Sequence, residues 1–113
     1  MRETSSEMSF TFHLPSAMLA DIEKYSDRLQ RSSGWCLRMA WGLAAPEIER
    51  LHADDLTIQN RILSGNRHPQ PVALPPPTWD TIREEAARLD RSPSWLVQQA
   101  WRIARPFFLQ AAR

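Results

Sequence analysis

The chain has 113 residues, of which 42% are apolar, and a formal net charge of +1. That length suits one compact domain or two very small units sharing a core, and no unbroken apolar run is long enough to span a membrane. Near-neutrality argues against a strongly basic nucleic-acid coat, and the single cysteine, Cys36, leaves no internal disulfide and suits a reduced, cytoplasmic setting.

Residues 1–7 read as a disordered lead-in, and no basic stretch followed by an apolar one marks a signal peptide. From Met8 to Leu14 apolar and polar residues alternate, the period of a half-buried strand. Met8, Phe10, Phe12 and Leu14 are expected to face inward, with Ser9, Thr11 and His13 outward. Pro15 has no N–H for further pairing and should end the strand. Ser16 is placed to cap a helix that carries Leu19, Ile22 and Leu29 on one face. The run Arg31-Ser32-Ser33-Gly34 should break that helix and cap another, in which Leu37, Ala40, Trp41 and Ala44 recur at i, i+3, i+4 and i+7. Pro46 is expected to kink or restart it.

The polar stretch that follows contains Leu51, Leu56, Ile58, Ile62 and Leu63. The recurring aliphatics favour a helical extension to about residue 63 over a flexible linker. A turn at Ser64-Gly65-Asn66 and an extended, Pro-rich approach come next. A shorter strand, Val72-Ala73-Leu74, is flanked by Pro69 and Pro71. Helices are expected at 78–90 and from 94 onward, with Leu89, Leu96, Val97, Ala100, Trp101 and Ile103 as their apolar face and Pro106 in the role of Pro46.

Shifting the sequence by 60 positions against itself places Leu14-Pro15 on Leu74-Pro75, Ile22 on Ile82, and Arg28-Leu29 on Arg88-Leu89. The same shift, without a gap, places Arg31-Ser32 on Arg91-Ser92, Trp35 on Trp95, Ala40-Trp41 on Ala100-Trp101, and Pro46 on Pro106. This internal repeat divides the chain into a unit at 8–46, a partly helical connector at 47–69 and a unit at 70–113. One unit is too small to bury its own strand. Two can pair their strands, 10–14 against 72–74, into a short antiparallel ribbon covered by four helices. The expected fold is therefore mainly α with one β-ribbon, an intramolecular pseudo-dimer; exchange between chains, giving a homodimer of tandem units, is the other arrangement.

Catalytic chemistry is thin. His13, His52 and His68 have no metal-ligand spacing with Cys or carboxylates, and Cys36 falls on an apolar helical face. No metal, cofactor or enzymatic activity is expected. Trp35, Trp41, Trp95 and Trp101 occupy repeated core positions, and core packing is favoured over base stacking for them.

The pattern strand, Leu-Pro, helix, Arg-Ser-x-Ser-Trp, helix resembles the ribbon-helix-helix (MetJ/Arc) superfamily. The second unit, through Leu89-Asp90-Arg91-Ser92-Pro93-Ser94-Trp95 and Ala100-Trp101, is similar to small ribbon-helix-helix proteins of myxobacteria. The first unit keeps the frame more loosely, as Leu29-Gln30-Arg31-Ser32-Ser33-Gly34-Trp35 and Ala40-Trp41. The resemblance implies a duplex-DNA-binding protein, a transcriptional regulator or nucleoid-associated protein, whose ribbon enters the major groove. Carried over by position, the base-reading residues are Ser9, Thr11, His13 and Ala73. Ser32, Ser33, Gly34, Ser92 and Ser94 fall at the phosphate-binding helix starts, with Arg31 and Arg91 beside them or paired with Asp27 and Asp90. This chain departs from the family in fusing two units, in offering only Pro71 and Ala73 opposite the polar first strand, and in placing no Arg or Lys on either expected strand. The competing class is a divergent interaction module that binds a protein partner or an anionic ligand such as cyclic di-GMP.

Overall fold

A computed structural model of the chain describes residues 7–53 and 67–112. The elements run β1 (Met8–Pro15), α1 (Ser16–Leu29), α2 (Ser33–Glu49), β2 (Arg67–Leu74), α3 (Pro76–Leu89) and α4 (Pro93–Ala111). The chain is mainly helical, and β1 and β2 form one two-stranded antiparallel sheet. No described helix is long and apolar enough to cross a membrane.

The ribbon is longer than expected. β2 starts at Arg67 and not at Val72, so residues 67–69 belong to the strand, and the ladder runs from Met8 opposite Leu74 to Pro15 opposite Arg67. Pro69 and Pro71 are tolerated because of register. In an antiparallel pair every second residue points its N–H away from the partner strand. Pro69 lies opposite His13 and Pro71 opposite Thr11, and the His13 N–H turns away from β2 to donate to Ser94 Oγ at 2.9 Å. The two prolines therefore sit where no ladder bond is lost.

Along the inward row Phe12, Leu14, Val72 and Leu74 are buried, while Phe10 and Gln70 are half-buried. Met8, expected inside, is 56% exposed. It occupies the open end of that row, as His68 does at the other end, and both are exposed.

Helix boundaries also shift for identifiable reasons. Ser16 does not cap α1: Pro15 holds the N-cap position in extended conformation, and Ser16 is the first helical residue. Pro75 has the same place before α3, and Pro76 opens that helix, where a missing N–H removes no helical bond. Gln30 and Asp90 stop α1 and α3 in the left-handed region, at φ 58° and 56°. Arg31 N–H then reaches Ser26 O at 3.0 Å and Arg91 N–H reaches Ala86 O at 2.9 Å, closing the last turns. The break thus lies at Gln30, one residue ahead of the Arg31–Gly34 run, and Gly34 is inside the first turn of α2. Similarly α4 opens at Pro93, one residue before Ser94. Both α2 and α4 continue through their internal prolines and do not restart there. Pro46 and Pro106 are exposed, as are Gly42 and Arg102 four residues earlier, so the displaced carbonyls can turn to water. α2 ends at Glu49, capped by Arg50, so it does not itself run on into the helical extension expected to residue 63, most of which lies outside the described residues. Leu56, Ile58, Ile62, Leu63 and the Ser64-Gly65-Asn66 turn lie outside the described residues.

The core gathers Phe12, Leu14, Ile22, Tyr25, Leu37, Ala40, Trp41, Val72, Leu74, Ile82, Leu96, Trp101 and Phe108. Tyr25, Trp101 and Phe108 form an aromatic trio with ring centroids 5.0–6.4 Å apart. Trp41 and Trp101 are buried as expected, but Trp35 and Trp95 are only half-buried. Trp79 stacks on Phe10 at 4.7 Å and meets Phe12 edge-on.

Candidate nucleic-acid interface

The outward row of the ribbon comes from odd-numbered residues, because side chains alternate across a strand. Ser9, Thr11 and His13 on β1 and Arg67, Pro69, Pro71 and Ala73 on β2 are all exposed. The four expected base-reading residues therefore share one face. Arg67 joins them, since the strand begins earlier than its proline content suggested. Across the ribbon Ser9 faces Ala73, Thr11 faces Pro71, His13 faces Pro69, and Pro15 faces Arg67. The first two polar side chains thus meet a methyl group and a pyrrolidine ring, and the β2 contribution of charge is confined to one end.

Two helix starts flank this face. Ser32 caps α2 by accepting from Trp35 N–H at 3.0 Å, and Ser92 caps α4 by accepting from Trp95 N–H at 3.1 Å. Their oxygens are engaged in holding the helices, while each hydroxyl keeps its own O–H to donate. Beyond the caps the two starts differ. α2 presents Ser33 and Gly34, each with a backbone N–H; α4 presents Pro93, which has none, and Ser94, whose hydroxyl holds β1 through His13. Buried Gln98 adds a second tie, its Nε2 donating to His13 O at 3.4 Å. The backbone under His13 is thus fixed by α4 at both its N–H and its carbonyl.

Arg31 and Arg91 do not simply extend into water. Their guanidinium carbons lie over the Trp35 and Trp95 rings at 5.0 and 5.6 Å, and Arg91 Nη1 also donates to Asp90 O at 2.9 Å. Each is presented at a helix start on an aromatic shelf.

A cavity of about 510 Å³ opens where α2 begins against β2, lined among others by Glu7, Ser9, Ser33, Gly34, Arg38 and Ala73. Arg38 forms an ion pair with Glu7 across it. Neither residue is among those expected at the site: Glu7 falls in the expected lead-in, and Arg38 lies between the apolar positions Leu37 and Ala40 of the second helix. The 60-residue shift would have shown their interest, because it matches Glu7 with Arg67 and Arg38 with Gln98.

Elsewhere the titratable groups serve the frame. Burial pushes the Asp21 carboxyl up, but hydrogen bonds from Arg105 and Trp101 and the charges of Arg105 and Lys24 outweigh it, holding the group below its usual range. Asp21 accepts from Trp101 Nε1 at 2.9 Å and from Arg105 Nε and Nη2 at 2.6 and 3.1 Å. Burial pushes the Cys36 thiol up, which disfavours a thiolate. Among the described residues no three His, Cys, Asp or Glu side chains gather as a metal-binding group. Comparison with protein-family models, with curated proteins and with solved structures returns no match.

Proposed function

We propose that the chain is a fused pair of ribbon-helix-helix units folded as an intramolecular pseudo-dimer, and that it binds duplex DNA as a cytoplasmic transcriptional regulator or nucleoid-associated protein. The pairing of equivalent units is supported by register: Thr11 lies opposite Pro71, two residues that the 60-residue shift superposes, and the pairs on either side exchange under that shift, Met8 with Leu74 becoming Leu14 with His68. Burial is the same, position for position, along 8–15 and 68–75. The left-handed helix ends at Gln30 and Asp90 and the serine caps at Ser32 and Ser92 also match.

One observation carries the DNA reading: the ribbon's whole outward row is exposed, although four helices bury its other face. A two-stranded ribbon has the width to enter the major groove. There Thr11 and His13 offer hydrogen-bonding groups to base edges, and Arg67, at the end of the ladder opposite Pro15, offers a charge to the backbone. Arg31 and Arg91, held at the helix starts, face the flanking phosphates in this reading, alongside Ser33, Gly34 and Ser94.

Titration with duplex DNA at several salt concentrations tests it. The double substitution Thr11→Ala/His13→Ala should reduce discrimination between sequences by about 1–3 kcal/mol for each base edge that is no longer read. Arg31→Ala and Arg91→Ala should weaken all sequences alike and flatten the log–log salt dependence by about one each. Failure of the parent to bind any duplex at low salt would end the DNA reading. The ribbon face would then be the place to test a protein partner or an anionic ligand such as cyclic di-GMP.

A further inference from the structure

We infer that the two ends of the ribbon hold the DNA backbone unequally, the end beside α4 more strongly, because Glu7 neutralises Arg38 at the α2 end and leaves that end the Arg31 contact at its helix start. This inference rests on the DNA-binding reading above and adds a polarity to it.

The repeat makes the comparison internal. The 60-residue shift carries Glu7 onto Arg67 and Arg38 onto Gln98, so equivalent positions at the two ends of one ribbon differ in charge. At the α2 end the cavity beside Ser33, Gly34 and Ala73 contains one cation among the described residues, Arg38, and its partner is the Glu7 carboxylate lining the same cavity. A phosphate oxygen reaching Arg38 there must displace a carboxylate already seated on it, and then sits beside that carboxylate. At the α4 end the corresponding residues are Arg67, Pro69, Ser94, Gln98 and the β1 residues Thr11 and His13, and none is acidic. Gln98 is buried and spends its amide on His13 O, leaving Arg67, exposed at the start of β2, to set the charge.

The surrounding halves agree in sign. Residues 67–112 carry six Arg against four Asp or Glu, whereas residues 7–53 carry five Lys or Arg against six Asp or Glu. A ribbon of this kind has a preferred direction on a duplex, which two identical units would lack. It would select a site with one well-contacted half rather than a palindrome.

The test uses the full chain, a mixed-sequence duplex and binding isotherms across a salt series, for the parent, Glu7→Gln, Arg67→Gln, Arg38→Gln and Glu7→Gln/Arg38→Gln. The Glu7 and Arg38 side chains are 44% and 37% exposed and each is replaced by a polar residue of similar size, so these variants are expected to keep the fold. Glu7→Gln is expected to bind several-fold tighter and to steepen the log–log salt slope by about one, the value of one added phosphate contact. Arg67→Gln should weaken binding and flatten the slope by about one. In the double variant, which keeps the parent's net charge, the gain from Glu7→Gln should vanish and binding should match the parent, which identifies Arg38 as the cation that Glu7 neutralises, whereas Arg38→Gln alone frees the Glu7 carboxylate and should bind no tighter than the parent. Binding of Glu7→Gln indistinguishable from the parent, or a gain that persists undiminished in the double variant, would overturn the inference while leaving DNA binding in place. Absence of binding by every protein in the set would instead overturn the DNA reading, and the polarity with it.

Discussion

Between α1 and α4, Asp21 accepts hydrogen bonds from the Trp101 indole and from Arg105, beside the mutually tilted rings of Tyr25, Trp101 and Phe108. The 60-residue shift puts Thr81, Trp41, Ala45, Glu85 and Ile48 in the corresponding places. There Thr81 turns its hydroxyl back onto Pro77 O, and the tie between α3 and the end of α2 comes from Arg88, which donates to Ile48 O and Leu51 O at 3.0 and 2.7 Å while bonded to Glu85. Apolar positions and helix ends thus match between the two halves in sequence and in burial, whereas the polar locks differ in residue type, depth and place. The difference teaches that hydrophobic spacing and helix ends can agree between two segments whose polar ties do not. Polar ties at the margin can diverge, because each needs only one long side chain and a carbonyl or carboxylate within reach.

The two tryptophans give the largest expected effects. Trp41→Ala and Trp101→Ala should each destabilise by about 3–5 kcal/mol, the range for removing an aromatic from a core. Trp101→Ala should lie higher, because it also strips a hydrogen bond from Asp21 and breaks the aromatic trio. Equal unfolding midpoints in denaturant would mean that the two locks contribute alike and would break the comparison.

A smaller effect belongs to Asp21. Asp21→Asn should cost about 1–3 kcal/mol through the weakened bonds to Trp101 and Arg105. Because the folded carboxyl sits below its usual range, its contribution is complete above the unfolded value, around pH 4, and is lost as pH falls through the folded value. The parent should lose stability in that acid window more steeply than Asp21→Asn. Parallel pH profiles would show that the carboxylate is not part of the lock.

The smallest expected change is a gain. Gly34 stands where α4 has Ser94, and a Cβ there would lie 3.5 Å from Pro71 O and 3.6 Å from Val72 Cα, ordinary contact distances. Gly34→Ser should let a hydroxyl meet Ala73 N–H as Ser94 meets His13 N–H, raising stability by about 0.5–1.5 kcal/mol. A lowered unfolding midpoint would show that α2 and α4 approach their strands differently.

The sequence made the ribbon, the four helices and the outward row legible because each rests on periodicity or on the repeat. What it hid depended on register. Pro69 and Pro71 read as breakers, since nothing local says which edge of a strand a residue faces; that misplaced the start of β2 and concealed Arg67. The shift of Met8 onto His68 already held the remedy, for a strand starting at one implies a strand starting near the other. Gln30 escaped notice as a helix stop because a left-handed turn there lacks the usual glycine, and the nearby Gly34 drew attention instead. The Glu7–Arg38 contact joins residues with no periodic relation, so only their pairing in space reveals it.

An isolated two-stranded sheet has two outer edges on which another strand could polymerise. On β1 the outer N–H and carbonyl of His13 are already taken by Ser94 and Gln98. On β2 the outer positions include Pro69 and Pro71, which offer no donor. A third strand arriving from another copy would lose hydrogen bonds at His13 on one side and at Pro69 and Pro71 on the other, which guards the ribbon against edge-to-edge aggregation. The prolines that made β2 hard to read are thus also what keep the sheet at two strands when the protein is concentrated.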